Sequence, residues 1–214
     1  MKLRSLFTLI FLQLLCSLTL ADYSPLGATE FYSVYASEST PEVNQLFSEA
    51  ARTQTLSKPM FDYLMSSMNR DDYKMALVNA LGMHAGNSSS NAGRFLEYFV
   101  GQCGHDCQWD AISRLSGPSK LIYAYLLAMD SSADVRDAMN LADDAARGGT
   151  LDFSMSIVHS LIQAQFYRIG WHWCTVWQKY QKVLKRFPSY DRNLKPRAFA
   201  IIDNYMNYYN GYCN

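Results

Sequence analysis

The sequence is poor in the residues that break chains and in charge of either sign. Eleven glycines and six prolines among 214 residues exclude collagen-like and Pro/Gly-rich low-complexity chains. With 49% hydrophobic residues, intrinsic disorder is excluded as well. The formal net charge is zero, so global charge gives no affinity for nucleic acid. After residue 21 no segment approaches eighteen consecutive apolar residues, the length a spanning helix requires.

Signatures of chemistry are equally scarce. The chain contains no Gly-x-Ser-x-Gly nucleophile elbow, no Gly-x-x-x-x-Gly-Lys phosphate loop and no His-Glu-x-x-His zinc helix. No cofactor and no metal is therefore implied. His84 and His159 stand alone in the sequence. The carboxylate pairs Asp71-Asp72 and Asp143-Asp144 fall at a helix start and on a helix flank, where the first complements the helix dipole and the second is solvated.

What is present begins with an export signal. Lys2 and Arg4 precede an apolar stretch from Leu6 to Leu20, which closes on Thr19-Leu20-Ala21, the pattern of a secretory signal cleaved after Ala21. Residues 1–21 are thus expected to leave, and the mature protein to be secreted or periplasmic and to have no membrane span. Removing Lys2 and Arg4 leaves 17 basic against 19 acidic residues.

Charge is unevenly placed along the chain. Asp22, Glu30, Glu38, Glu42 and Glu49 precede the first basic residue after the signal, Arg52. Near the other end Lys179, Lys182, Lys185, Arg186, Arg192, Lys195 and Arg197 are accompanied by Asp191 alone, and this set is the candidate binding surface. It suits an acidic protein or an anionic surface.

Of five cysteines, Cys16 is lost with the signal, and Cys103, Cys107, Cys174 and Cys213 remain, an even number that predicts two disulfides in an oxidising compartment. A hairpin of the last two helices would bring Cys174 beside Cys213, leaving Cys103 to pair with Cys107. The alternative for Cys103, His105 and Cys107, with His172 or Cys174, is a zinc site, although the usual Cys-x-x-Cys spacing is missing. Cys103-Gly104-His105-Asp106-Cys107 is similar in composition to the active-site stretch of secreted phospholipases A2. The spacing differs on both sides of the His-Asp pair, and the glycine-rich calcium loop is absent. His105 and Asp106 are the candidate catalytic residues of a hydrolase alternative.

Periodicity predicts an all-α fold. Thr40 and Pro41 open one helix, Ser57 and Pro59 a second, Asp71 and Asp72 a third that runs to Gly86. Asn87-Ser88-Ser89 in the following loop fits the glycosylation sequon. Helices are predicted over 94–102 and 119–129, from Ser132 to Gly148-Gly149, and from Thr150 or Asp152 through Phe166. Trp173, Val176, Trp177, Tyr180, Val183, Leu184 and Phe187 trace one helical face, Pro188 ends it, and a last helix starts near Pro196. Residues 22–39 lack helical periodicity and read as an extended N-terminal arm. The expectation is a single domain over 40–214, of eight or nine helices, as a compact bundle or an irregular array of helical pairs. Ser57-Lys58 with Phe61, Tyr63 and Leu64, echoed by Ser119-Lys120 with Tyr123, Tyr125 and Leu126, is the pattern behind the array.

Function follows from those absences. The chain reads as an exported binding protein of inhibitor, immunity or adaptor type rather than an enzyme. The alternatives are the His105/Asp106 hydrolase and an anionic-surface binder acting through the basic C-terminal helix.

Overall fold

Helix starts fall where proline and small polar residues put them. The computed structural model describes residues 24–82, 90–104, 107, 109–130, 135–148 and 151–213. Eleven α-helices and no strand occur among them. In chain order they are α1 (Tyr32–Ser37), α2 (Pro41–Thr53), α3 (Lys58–Met65), α4 (Asp71–Leu81), α5 (Asn91–Cys103), α6 (Ala111–Arg114), α7 (Gly117–Asp130), α8 (Val135–Arg147), α9 (Phe153–Ile169), α10 (Trp173–Arg186) and α11 (Pro196–Asn207). Two 3-10 turns, Ser189–Asp191 and Tyr208–Tyr212, flank α11. Setting aside the short α1 and α6, nine helices of eight residues or more make one compact arrangement.

Pro41, Pro59 and Pro196 all sit in first turns, where a missing N–H costs nothing. Asp152 caps α9 by accepting from the Met155 N–H at 2.9 Å, and Ser90 caps α5 by accepting from Gly93 N–H. Helix α5 therefore begins three residues before the expected position. Helix α4 ends at Gly82, whose φ of +73° suits glycine, and not at Gly86. Gly86, the Asn87 sequon, His84, Ser132, Gly149 and Thr150 lie outside the described residues, as do residues 1–21.

Helices α4, α7 and α9 form the interior. Almost every side chain from Asp72 to Leu81 is buried, as are Leu121 to Leu126 and Phe153 to Val158. Helix α2 covers α4, α5 and α8 cover α7, and α8 and α10 cover α9. The 24–39 segment corrects the expected arm. It folds onto the body, with Tyr32–Ser37 helical and Leu26, Phe31, Val34 and Tyr35 buried. Its backbone is held by Asn79, which accepts from the Tyr32 N–H at 3.1 Å and donates to Tyr125 Oη. The two echoed segments differ in phase: Ser57 precedes α3 as its N-cap, whereas Ser119 lies inside the first turn of α7.

Candidate functional site

Helix α10 carries Trp173, Val176, Trp177, Tyr180, Val183 and Leu184 on a buried or half-buried face, and Lys182, Lys185 and Arg186 are exposed. Val176 and Tyr180 are fully buried, and Tyr180 Oη donates to Asp203 of α11 at 2.8 Å. Burial and that carboxylate push the Tyr180 phenol well above its ordinary value. With this face anchored, Lys182, Lys185 and Arg186 are directed to solvent and Lys179 is half-buried. Helix α10 contains no acidic residue. Among the described residues none of these four cations has a carboxylate within 4 Å. Elsewhere Lys58, Arg70, Lys74, Lys120 and Arg147 are all ion-paired with aspartates.

The structure divides the basic set in two. Arg192 turns inward, donating to the Phe187 and Leu184 carbonyls and lying 5.2 Å from the Phe153 and Phe199 ring centres. Lys195 Nζ stands 3.1 Å from Glu38 Oε2 and over the rings of Tyr35 and Tyr73. Arg197 faces the same carboxylate at 3.7 Å. Lys195 and Arg197 close the C-terminal linker onto the N-terminal segment, and Arg192 ties it to α9, α10 and α11, so the continuous basic surface is Lys179, Lys182, Lys185 and Arg186.

Two hollows flank that ridge. One, of about 450 Å³, is lined by Trp177, Gln178, Gln181, Lys182, Lys185 and Cys213. The other, of about 230 Å³, lies in the groove between α9 and α10. Helices α9 and α10 run antiparallel, and each supplies one stripe to it: Ser156, His159 and Gln163 from α9, and Lys179, Lys182 and Arg186 from α10. Lys182 borders both hollows.

His159 is not isolated. Its Nε2 lies 2.6 Å from Asp143 Oδ1, and Gln163 Nε2 donates to the same oxygen at 2.7 Å. The hydrogen bond from His159 is the main reason the Asp143 carboxyl is held below its ordinary range. The carboxylate must be the acceptor, which makes Nε2 the protonated nitrogen and fixes the ring's tautomer. Asp144 is likewise engaged, pairing with Lys120 at 2.5 Å and Arg147 at 3.3 Å. Asp143 and Asp144 are each about two-fifths exposed, so the expected solvated flank also carries ion pairs.

An aromatic surface adjoins the ridge. Tyr209 is buried, Trp173 stacks on it at 5.9 Å and on Tyr212 at 5.1 Å, and Trp171 packs edgewise on Trp173. Trp171 is 77% exposed and Tyr208 and Tyr212 about two-fifths exposed, so the stack runs from core to solvent. Cys174 and Cys213 pin it, with Cα atoms 4.8 Å apart. Cys103 and Cys107 are 5.8 Å apart and form the second pair. Both separations lie in the disulfide range, and the pairs use all four cysteines that follow residue 21. Gly104, with φ of +84°, supplies the helix break that the short pairing requires. His105 and Asp106 lie outside the described residues.

Comparison with family models, with curated proteins and with solved structures finds no match to this chain. Function is therefore read from the side chains. Sequence reasoning missed His159 and Gln163 as parts of the basic surface. Their spacing from Ser156 along one face of α9 was visible, but the partner stripe on α10 comes from the packing.

Proposed function

We propose that this chain is an exported, non-catalytic binding protein that engages an acidic partner protein through the exposed face of α10. The observation that carries this reading is the concentration of Lys179, Lys182, Lys185 and Arg186 on one face without a carboxylate among the described residues within ion-pair distance. Unpaired like charges repel one another, and an acidic surface relieves that repulsion while speeding encounter. The adjoining Trp171, Tyr208 and Tyr212 offer the large, stiff aromatic area that interfaces favour. Export is supported by the signal pattern at residues 1–21 and by two cysteine pairs at disulfide spacing. No helix among the described residues is long and apolar enough to cross a membrane.

The test uses the intact mature protein, with tryptophan fluorescence followed during titration with poly-L-glutamate and, separately, with vesicles rich in phosphatidylglycerol. Saturable binding to polyglutamate is expected. It should weaken with added salt and be lost on Lys182→Glu with Lys185→Glu. Binding unaffected by salt and by both reversals overturns the reading. Binding to vesicles without binding to polyglutamate transfers the face to an anionic lipid surface. The intact mass of the exported chain, expected to begin at Asp22, checks the processing.

A further inference from the structure

We propose that the hollow between α9 and α10 is a binding site for a tetrahedral dianion, of which a phosphoryl group is the type. The inference rests on α10 being the binding face, and it names the group that face receives.

Three observations converge on it. First, Lys179, Lys182 and Arg186 come from successive turns of α10 and line one concavity with no acidic residue among the described residues of its wall. Bringing three cations together costs free energy unless an anion is accommodated between them. The Asp143 carboxylate, which accepts from His159 and Gln163 of the lining, offsets one of the three charges and leaves the cations in excess by two.

Second, the wall opposite the cations is polar. The Ser156 hydroxyl is a donor, and Asp143 fixes the His159 ring and the Gln163 amide in place by hydrogen bonds of 2.6 and 2.7 Å. That is a prearranged wall rather than a set of free side chains. A carboxylate would neutralise one of the excess cations; a dianion neutralises both, with the Arg186 guanidinium able to hold two of its oxygens and the ammonium groups acting as point charges.

Third, the size selects a group and not a cofactor. A volume of about 230 Å³ falls below the range of roughly 300–1,000 Å³ found for drug-sized ligand sites. Ala146, Leu151 and Val183 supply the apolar part of its lining.

The site is tested on the mature protein by calorimetric titration and thermal melting with inorganic phosphate, against sodium chloride at equal ionic strength. Phosphate is expected to bind saturably and raise the melting temperature beyond the chloride control. Lys179→Gln with Arg186→Gln should weaken binding by about tenfold or more, the order expected for losing charge-assisted bonds. Arg52→Gln, an exposed residue of α2 that is no part of the hollow's lining, should leave it unchanged. If the double variant fails to fold, the solvent-exposed Lys182→Gln alone should weaken phosphate binding measurably. Equal effects of phosphate and chloride, or binding retained in the folded double variant and in Lys182→Gln, overturn the proposal.

A phosphoserine peptide and its unphosphorylated counterpart separate the sources of the group. Tighter binding of the phosphopeptide than of inorganic phosphate assigns the group to a partner, and the reverse order to a free anion. The two proposals fail independently. Polyglutamate binding without a phosphate effect removes this site alone, and phosphate binding without polyglutamate binding removes the acidic-protein reading alone.

Discussion

At the scale of single residues, the least replaceable polar group is the Tyr35 hydroxyl. It donates to Asp72 Oδ2 at 3.1 Å and accepts the Lys195 N–H at the same distance, joining the N-terminal segment, α4 and the C-terminal linker. Asp72 is fully buried and also receives two bonds from Arg70, so its charge is compensated from both sides. Burial drives the Tyr35 phenol far above its ordinary value, so it stays a neutral donor at any physiological pH. Tyr35→Phe keeps the ring and strands the Lys195 N–H while removing one donor from Asp72. The expected loss is about 1–3 kcal/mol, measured by urea unfolding. Phosphate binding at the α9/α10 hollow should be unchanged in this variant, because Tyr35 touches neither helix. None of this cluster was legible in the sequence: Tyr35 and Lys195 are 160 positions apart, and a lysine among other cations reads as part of a binding patch. The same holds for Arg192, whose guanidinium lies against two phenylalanine rings because aromatic faces and free carbonyls attract it from solvent.

At the scale of elements, legibility follows how local the cause is. Thr40-Pro41, Ser57, Asp152, Pro188 and Pro196 marked helix ends because prolines, and at Asp152 a capping side chain, act on their own turns; the Thr40 and Ser57 side chains make no cap bond, and Pro41 and Pro59 set those starts. Helix α1 escaped notice because it has six residues and no side-chain cap, and it is held by tertiary contacts to Asn79 and Asp72. The start of α9 gives a pH prediction. Asp152 is partly buried, and burial is the largest influence on it, raising its carboxyl above the ordinary value near 4 despite bonds from Met155, Ser154 and Asn193. A carboxyl raised in the folded state favours folding most when protonated, so its contribution is present below the unfolded value and is lost as pH rises through the folded one. Asp143 has the opposite sign, since its lowered value makes a contribution present above pH 4 and lost as acid protonates it. Asp152→Asn should therefore flatten the decline in stability as pH rises above about 4 in a series of urea melts, relative to the native chain. An unchanged slope would mean that the bonds to the carboxylate offset its burial.

At the scale of the whole molecule, the two cysteine pairs differ in what they constrain. Cys174–Cys213 closes a separation of 39 residues that contains α10, the linker and α11. Cys103–Cys107 closes a separation of four at the end of α5. Chain-entropy reasoning gives roughly 4 kcal/mol for a loop of the first size and about 2 kcal/mol for the second. Position adds to the contrast, because the long-range pair holds the Trp173, Tyr209 and Tyr212 stack at the end of the hairpin. Serine substitution of both Cys174 and Cys213 should lower the melting temperature by roughly 10 °C. The same change at Cys103 and Cys107 should lower it by about half as much. The pocket gives a second readout. Lys179, Lys182 and Arg186 are set on α10 by the buried Val176 and Tyr180, and Tyr180 bonds Asp203 of α11 without the disulfide. Phosphate affinity should therefore survive loss of Cys174–Cys213 at temperatures where the variant is folded. Exposed-ring fluorescence from Trp171 and Trp173 should change, because the last turn of chain is released. If affinity fell together with the fluorescence change, α10 would depend on the covalent tie for its position, and the aromatic end and the cationic hollow would act as one unit.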